Sequence, residues 1–258
     1  MLGWMKIEAI KTRALVAPKD NLLSAIKESV KTIDEKSIVV VTSKVVSIWQ
    51  GRCVSKKDAP DKDALIISEA DKYIPRGTYP EHNVIYTIKN SILNKSAGLD
   101  KSNGSGYFIL WPENLPETAK ELHTWFKKEY GLKEVGILIT DSNFMPFRRG
   151  AIGISLAHYG FNPLKDYRGA PDIFNKTMTQ QQANIADGLA AGAVVAMGEG
   201  NENTPLAVIS DLPNIEFVDE PVKSDKPFSS FEVSEDEDRF TPFISNGKWQ
   251  KGGGGIKL

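Results

Sequence analysis

The hydrophobic positions of this chain fall into short β-branched runs separated by amphipathic stretches. Ile38-Val39-Val40-Val41-Thr42, inside 37–43, is unbroken and predicts a strand buried on both faces. Before it, residues 6–12 read as a first strand, and Leu22, Leu23, Ile26 and Val30 are spaced for one apolar face of a helix over 21–32, capped by Asp20 or Asn21. The lysine- and aspartate-rich stretch 56–62 reads as a solvated loop, 64–73 as a helix and 84–88 as a strand. Tyr107-Phe108-Ile109-Leu110-Trp111 is a strand ended by Pro112, and Pro116 opens a helix to about Tyr130 with Leu122, Trp125 and Phe126 as its buried stripe.

The second half continues the alternation. Residues 135–140 predict a central strand, 143–150 a polar loop carrying Arg148 and Arg149, and 151–157 a further strand. A long helix over 179–197 is alanine-rich, with Gly188 and Gly192 four apart; small residues there let another backbone approach, either inside the fold or at a dimer seam. Residues 205–210 give one more strand. Strands alternating with helices predict a mixed α/β (α+β) protein. From Pro221 the composition changes, through acidic Ser234-Glu235-Asp236-Glu237-Asp238 to a glycine-rich end, Lys251-Gly252-Gly253-Gly254-Gly255. That divides the chain into a domain over 1–220 and a flexible tail over 221–258.

Composition narrows the class. The 258 residues carry a net charge of −1, which argues against a general nucleic-acid binder. A single cysteine, Cys53, excludes an intrachain disulfide and fits a reducing cytoplasm. No apolar run reaches the roughly 18 residues of a membrane span, and the start lacks a signal-peptide apolar region. The expectation is a cytoplasmic protein with neither membrane nor nucleic acid as partner.

The inventory of chemistry is oxygen-rich. The loop G-x-x-x-x-G-K-[ST], the G-x-G-x-x-G turn and the G-x-S-x-G elbow are all absent. Three histidines and one cysteine make a zinc site of those residues improbable; His123 reads as a surface position on its helix, and Cys53 as a buried structural thiol. Three aspartates stand in polar stretches that a core does not need: Asp100, Asp141 and Asp187. Asp141 is the clearest, because it follows a buried strand and precedes a hydroxyl, Ser142, a natural seat for a hard cation and its phosphates. Asp100 in Asp100-Lys101-Ser102-Asn103 reads, on its own residues, first as a turn former or helix cap.

An ordered set of motifs runs through residues 5 to 215. Val39-Val40-Val41-Thr42-Ser43-Lys44 with Gly51-Arg52 comes first, then Ala97-Gly98-Leu99-Asp100-Lys101-Ser102-Asn103. Ile139-Thr140-Asp141-Ser142 follows with Pro146-Phe147-Arg148-Arg149-Gly150, then Pro163-Leu164-Lys165-Asp166-Tyr167-Arg168-Gly169 and Asp172. Ala186-Asp187-Gly188-Leu189-Ala190-Ala191, Met197-Gly198-Glu199 and Pro205 complete the set. Together these resemble the coenzyme F420-0:L-glutamate ligases and their γ-glutamyl ligase relatives.

The resemblance implies GTP-dependent addition of L-glutamate to a small carboxylate acceptor through an acyl phosphate, with two divalent cations, Mg2+ or Mn2+, on a mixed α/β fold that forms an intertwined homodimer. Carried over by position, Asp100 and Asp141 are ligands of one metal, and Ser142 and Glu199 of the second. Ser43, Lys44, Asn103 and the loop from Gly198 through Gly200 to Pro205 are nucleotide contacts, and Arg148 supplies phosphate charge beside the catalytic Asp100 and Asp141. Asp187 supports the dimer or the helix start, while Asp166, Arg168 and Asp172 either bind acceptor or glutamate or form a structural ion pair.

Departures bear on the acceptor and the nucleotide. The family's T-F-G-R-P-W-R after the aspartate is here Ser142-Asn143-Phe144-Met145-Pro146-Phe147-Arg148, so an arginine is lost at Met145; Ile48 replaces a second lysine, and Glu199 stands where glutamine is common. These changes leave GTP or ATP open. The stretch from Ser68 to Arg76 and Trp111-Pro112 resemble a branch associated with folate metabolism, which makes a folate-like acceptor the alternative. A reading of another class is a nucleotide-binding regulatory protein without turnover.

Overall fold

The computed structural model describes residues 4–59, 61–213, 215–219 and 231–257. The chain begins with β1 (Lys6–Ile10), α1 (Leu22–Ser29), β2 (Ser37–Thr42), α2 (Ser43–Gln50), β3 (Cys53–Ser55), α3 (Lys62–Glu69) and β4 (Lys72–Ile74). It continues through β5 (Tyr86–Lys89), β6 (Ile92–Lys95), β7 (Tyr107–Ile109), α4 (Leu115–Tyr130), β8 (Val135–Phe144) and β9 (Ala151–Tyr159). The last elements are β10 (Leu164–Asp166), β11 (Gln182–Asn184), α5 (Ile185–Met197), β12 (Leu206–Ser210), α6 (Thr241–Ile244) and β13 (Gln250–Lys251). The mixed α/β class follows directly. These elements sort into two units, and the chain passes from the first to the second between Ser43 and Lys44.

The first unit takes the described residues up to Ala14, from Leu23 to Ser43 and from Asn114 to Phe231. Its centre is a five-stranded sheet in the order β1-β12-β2-β8-β9, in which β2 and β8 are parallel and every other pair is antiparallel. β2 has neighbours on both edges, and Ile38, Val39, Val40 and Val41 are all buried, as their unbroken apolar run predicts. Ile38, Val40 and Leu138 face α5 through Ala186, Leu189, Ala190, Ala193 and Met197. Pleat alternation turns Val39, Ile137 and Ile139 to the opposite face, and α4 packs against β8 and β9.

Small residues let α5 approach the sheet, although not where their spacing suggests. A Cβ at Gly153 of β9 would overlap the Ala190 carbonyl and lie 2.6 Å from Val194 Cγ2. By contrast, nothing lies within 4 Å of such an atom at Gly188, and Gly192 meets only Ile7 Cδ1. α5 also starts later than its periodicity predicts, because Gln182–Asn184 pairs with β10 as β11 and Asn184 then caps the helix. On α4, Leu122 and Phe126 are fully buried. His123 is buried too, contrary to the surface position its helix suggests: its ring lies 4.9 Å from that of Tyr159. Burial lowers its pKa and keeps it neutral.

The second unit takes residues 15–22, 44–113 and the described residues from Glu232 onward. It holds a four-stranded antiparallel sheet, β13-β4-β5-β6, and the pair β3–β7. Leu65, Ile66, Ala70, Ile85, Leu99 and Leu110 form its core. The helix expected over 64–73 is shorter, since Ala70 turns extended and Lys72–Ile74 joins the sheet. α2 was hidden by the β-branched residues around Val45 and Val46, which favour strands in isolation.

The glycine-rich end differs most from expectation. Gln250–Lys251 pairs with β4, and the N–H groups of Gly252, Gly253, Gly254 and Gly255 each donate at 2.9 Å to carbonyls of Asp71, Ile67, Ala70 and Ser68. Composition alone reads such a run as flexible; here the missing side chains admit the backbone to the end of α3. In the acidic stretch, Glu235 pairs with Lys72 at 2.5 Å. The start of the expected tail, 220–230, lies outside the described residues. Among the described residues no helix is long and apolar enough to cross a membrane.

Candidate active site

The parallel register of β2 and β8 pairs Thr42 with Thr140, so Ser43, just past the end of β2, and Asp141, inside β8, fall at the same end of the parallel pair. β8 runs on to Phe144, through the start of the polar loop expected over 143–150, because its last residues still pair with β9. Ligand sites of α/β sheets gather at such carboxyl ends. The Thr42 N–H donates to Pro205 O at 3.0 Å, which brings the loop before β12 to that end as well. A register shift between Ile139 and Thr140 on the β8–β9 ladder lies one residue before Asp141. Such bulges re-aim side chains and are common beside active sites.

Ser142 and Glu199 meet there. The Ser142 hydroxyl donates to both Glu199 oxygens at 2.8 Å. Gly198 and Gly200 flank the glutamate, and the Gly200 N–H donates to Glu202 Oε2 at 2.8 Å. Glu202 is a second carboxylate on this loop that sequence reading did not single out; its carboxylate fills the space a side chain at Gly198 would need. Ser43 is buried at the end of β2, and Asp141 is half-buried.

The second unit builds a separate cluster around Asp100. Lys44 Nζ lies 2.7 Å from Asp100 Oδ2 and donates to Ser102 Oγ at 3.2 Å. The Ser102 N–H and hydroxyl both donate to Asp100 Oδ1, at 2.7 and 2.8 Å. This is the turn-forming arrangement that Asp-Lys-Ser-Asn allows, and it also leaves a charged carboxylate holding a cation. Burial pushes the Asp100 pKa up, but the bonds from Lys44 and Ser102 outweigh it and hold the group below its ordinary value. Asn103 follows on the exposed turn with φ 52°.

Other candidates take structural partners. Arg148 and Arg149 are exposed in the loop after β8, where Arg148 Nη1 donates to the neighbouring Phe147 carbonyl at 3.3 Å. Arg168 forks onto Asp166 at 2.9 and 2.7 Å, and Asp172 accepts the N–H groups of Phe174 and Lys176. Asp187 accepts the Ser155 N–H at 2.8 Å and exchanges bonds with the capping Asn184, so it supports the start of α5. Burial pushes the half-buried Cys53 thiol up to about 11, which leaves it protonated.

Among the described residues no three His, Cys, Asp or Glu side chains converge as a metal cage. The available donors are carboxylate and hydroxyl oxygens, with a carboxylate bonded to a hydroxyl in each cluster: Asp100 with Ser102, and Glu199 with Ser142. That donor set fits Mg2+ or Mn2+, which takes one or two carboxylates and completes its shell with phosphate and water. The Lys44 ammonium on Asp100 shows that this carboxylate already attracts positive charge.

The family described as F420-0:Gamma-glutamyl ligase matches residues 10–211. The chain is 28% identical over 241 residues to the coenzyme F420:L-glutamate ligase of Methanopyrus kandleri, covering 86% of this chain and 94% of that one. It is 30% identical over 223 residues to the Methanosarcina mazei protein of the same name, covering 81% and 87%, and 30% over 193 residues to that of Methanocaldococcus jannaschii, covering 69% and 76%. Every candidate from Ser43 to Glu202 lies within the matched span, and the chain belongs to the F420-0:Gamma-glutamyl ligase family.

Proposed function

We propose that this protein is a nucleotide- and metal-dependent γ-glutamyl ligase that adds L-glutamate to a carboxylate of coenzyme F420-0. The observation that carries the reading is the Ser142–Glu199 pair at the carboxyl end of the β2–β8 strands, in a chain matched by the family over residues 10–211. Amide formation in water needs an activated carboxylate. The acceptor oxygen attacks the terminal phosphorus of GTP or ATP, the nucleoside diphosphate leaves, and an acyl phosphate forms. The glutamate amine then attacks the acyl carbon, loses a proton, and expels inorganic phosphate.

Positioning and charge neutralisation do most of the work in such a transfer. Bound cations would supply charge stabilisation to the phosphates. Asp100, Asp141, Ser142 and Glu199 are the ligands we assign to them. Lys44 and Arg148 supply positive charge to phosphate oxygens, while Ser43, Asn103 and the backbone at Gly198 and Gly200 contact the nucleotide. We further propose a cytoplasmic homodimer. β9 is the outer strand of its sheet, and exposed Phe144, Met145, Phe147 and Ile152 lie on or beside the β8–β9 hairpin.

Incubation with glutamate, Mn2+, each nucleotide and a panel of acceptors tests the assignment, with mass spectrometry reading the added glutamyl unit. Addition to the F420-0 deazaflavin, abolished in Asp141→Asn, is expected. Addition to folate alone would move the acceptor to the alternative. No addition to any acceptor would leave a nucleotide-binding regulator.

A further inference from the structure

Glu69 is fully buried and shared by two cations. Arg52 Nη2 donates to its oxygens at 3.1 and 2.9 Å, and Lys89 Nζ holds Oε2. The end of the chain closes this cluster. The Ile256 N–H donates to Glu69 Oε1 at 3.0 Å, and the Ile256 carbonyl accepts from Arg52 Nη1 at 2.5 Å. One residue's backbone thus clasps both halves of a buried ion pair, while its side chain packs on the core of Leu65, Ile66 and Leu110. The glycines before it are a steric requirement: a Cβ at Gly252 would overlap the Ala70 carbonyl, and one at Gly253 the Ser68 carbonyl.

The same arginine is tied to the segment that holds Asp100. Arg52 Nε donates to Trp111 O at 3.2 Å, and the Leu110 N–H donates to Arg52 O at 3.0 Å. One residue earlier, Ile109 exchanges both backbone hydrogen bonds with Asp100, at 2.9 Å each. The Trp111 ring lies against Gly98, where it occupies the space of a Cβ in the turn leading to Asp100. Three successive residues, Ile109, Leu110 and Trp111, therefore hold Asp100, Arg52 and the Gly98 turn in register.

We propose that the strap 252–256 is a positioning element for Asp100: it fixes Arg52 and Glu69, and through the 109–111 segment it sets where the Asp100 carboxylate meets Lys44 and Ser102. Its functional meaning rests on the role proposed for Asp100, but the coupling can be read without nucleotide, metal or turnover.

Amide hydrogen exchange tests it in a chain ending at Lys251 and in full-length Gly253→Ala, which displaces the strap without removing it and decides the matter if the shortened chain does not fold. Exchange at 97–102 and 107–111 should rise at least tenfold in either variant, while β5 and β6 stay within threefold of wild type. In turnover, the KM for nucleotide should rise about tenfold with kcat within threefold. Unchanged exchange at 97–102 would overturn the proposal. So would a uniform rise across the unit, or a fall in kcat at constant KM, since either marks a strap that merely keeps the unit folded. Absence of ligase activity with the local exchange pattern intact would count against the proposed function and leave the coupling standing.

Discussion

Lys44 Nζ stands 2.7 Å from Asp100 Oδ2, across 56 positions of sequence, and reaches Ser102 Oγ from the same ammonium. The lysine leaves the first turn of α2, and the aspartate follows the turn at Gly98. Neither needs the other for packing, since both are partly solvated. The pair concentrates opposite charges on a short polar turn, where an ion pair adds little stability.

Replacing Lys44 with methionine should raise the Asp100 pKa. Burial opposes ionisation there, and the lysine and Ser102 bonds overcome it. A carboxylate held low stabilises the fold above its unfolded pKa and loses that contribution as pH falls through its folded value. The loss in wild type therefore lies below the ordinary aspartate value of 3.8, and in Lys44→Met the folded pKa rises toward that value, so the contribution shrinks. Carbon-detected NMR titration of the Asp100 carboxyl measures the shift; an unmoved titration would remove the lysine from the site's electrostatics.

At Glu199 two substitutions should separate charge from ligation. Glu199→Gln keeps a carbonyl oxygen facing Ser142, and glutamine is common at this position in the family the sequence resembles. Glu199→Ala removes the oxygen altogether. Mn2+ affinity, followed by electron paramagnetic resonance, should fall about tenfold in the first and about 100-fold in the second, the span seen when supporting groups of metal sites are removed. Equal affinity in both variants and wild type would place the cation elsewhere.

The central sheet was legible because its chemistry is local. Val39, Val40 and Val41 need no partner to announce a doubly buried strand, and Pro116 and Leu122 mark α4 unaided. Asp141 stood out for the same reason, although the strand expected to end at Thr140 continues as β8 to Phe144 and holds Asp141 inside it. What sequence hid was long-range. Arg52, Glu69 and Lys89 are separated by 17 and 20 positions, and nothing in their neighbours signals burial. His123 reads as a surface polar residue until Tyr159 arrives from another element. The glycines at 252–255 carry no hydrophobic signal, so composition alone assigns them to a linker.

The buried triad predicts an asymmetric cost. Glu69→Ala leaves Lys89 without its buried anion and Arg52 with the half-exposed Glu113, 2.9 Å from Nη1, in its place, and breaking a buried pair this way costs about 3–5 kcal/mol. Two cations and the Ile256 N–H keep Glu69 ionised below the ordinary glutamate range despite its burial. Its contribution is present above the unfolded glutamate pKa and fades as pH falls through the lower folded value. Urea unfolding of wild type and variant at pH 7 and pH 3 should show the gap narrowing at the lower pH. A gap that is small and independent of pH would mean that water reaches the triad.

Glycines of the α5 region offer a test of the two readings their spacing allows, internal packing or a subunit seam. Gly153→Ala drives a methyl group into the Ala190 carbonyl and Val194. Overpacking of this kind costs about 1–3 kcal/mol, and the backbone oxygen cannot rotate away. Gly188 sits in α5 with nothing within 4 Å of its added carbon. In a helix alanine is better than glycine by about 0.8–1 kcal/mol, so Gly188→Ala should raise the melting temperature of the isolated chain. If α5 instead forms a subunit seam at this face, the same methyl group meets a partner. Sedimentation velocity of Gly188→Ala distinguishes the cases: an unchanged assembly with a raised melting temperature assigns the close approach to Gly153 and the sheet, whereas dissociation with a lowered one assigns Gly188 to the seam.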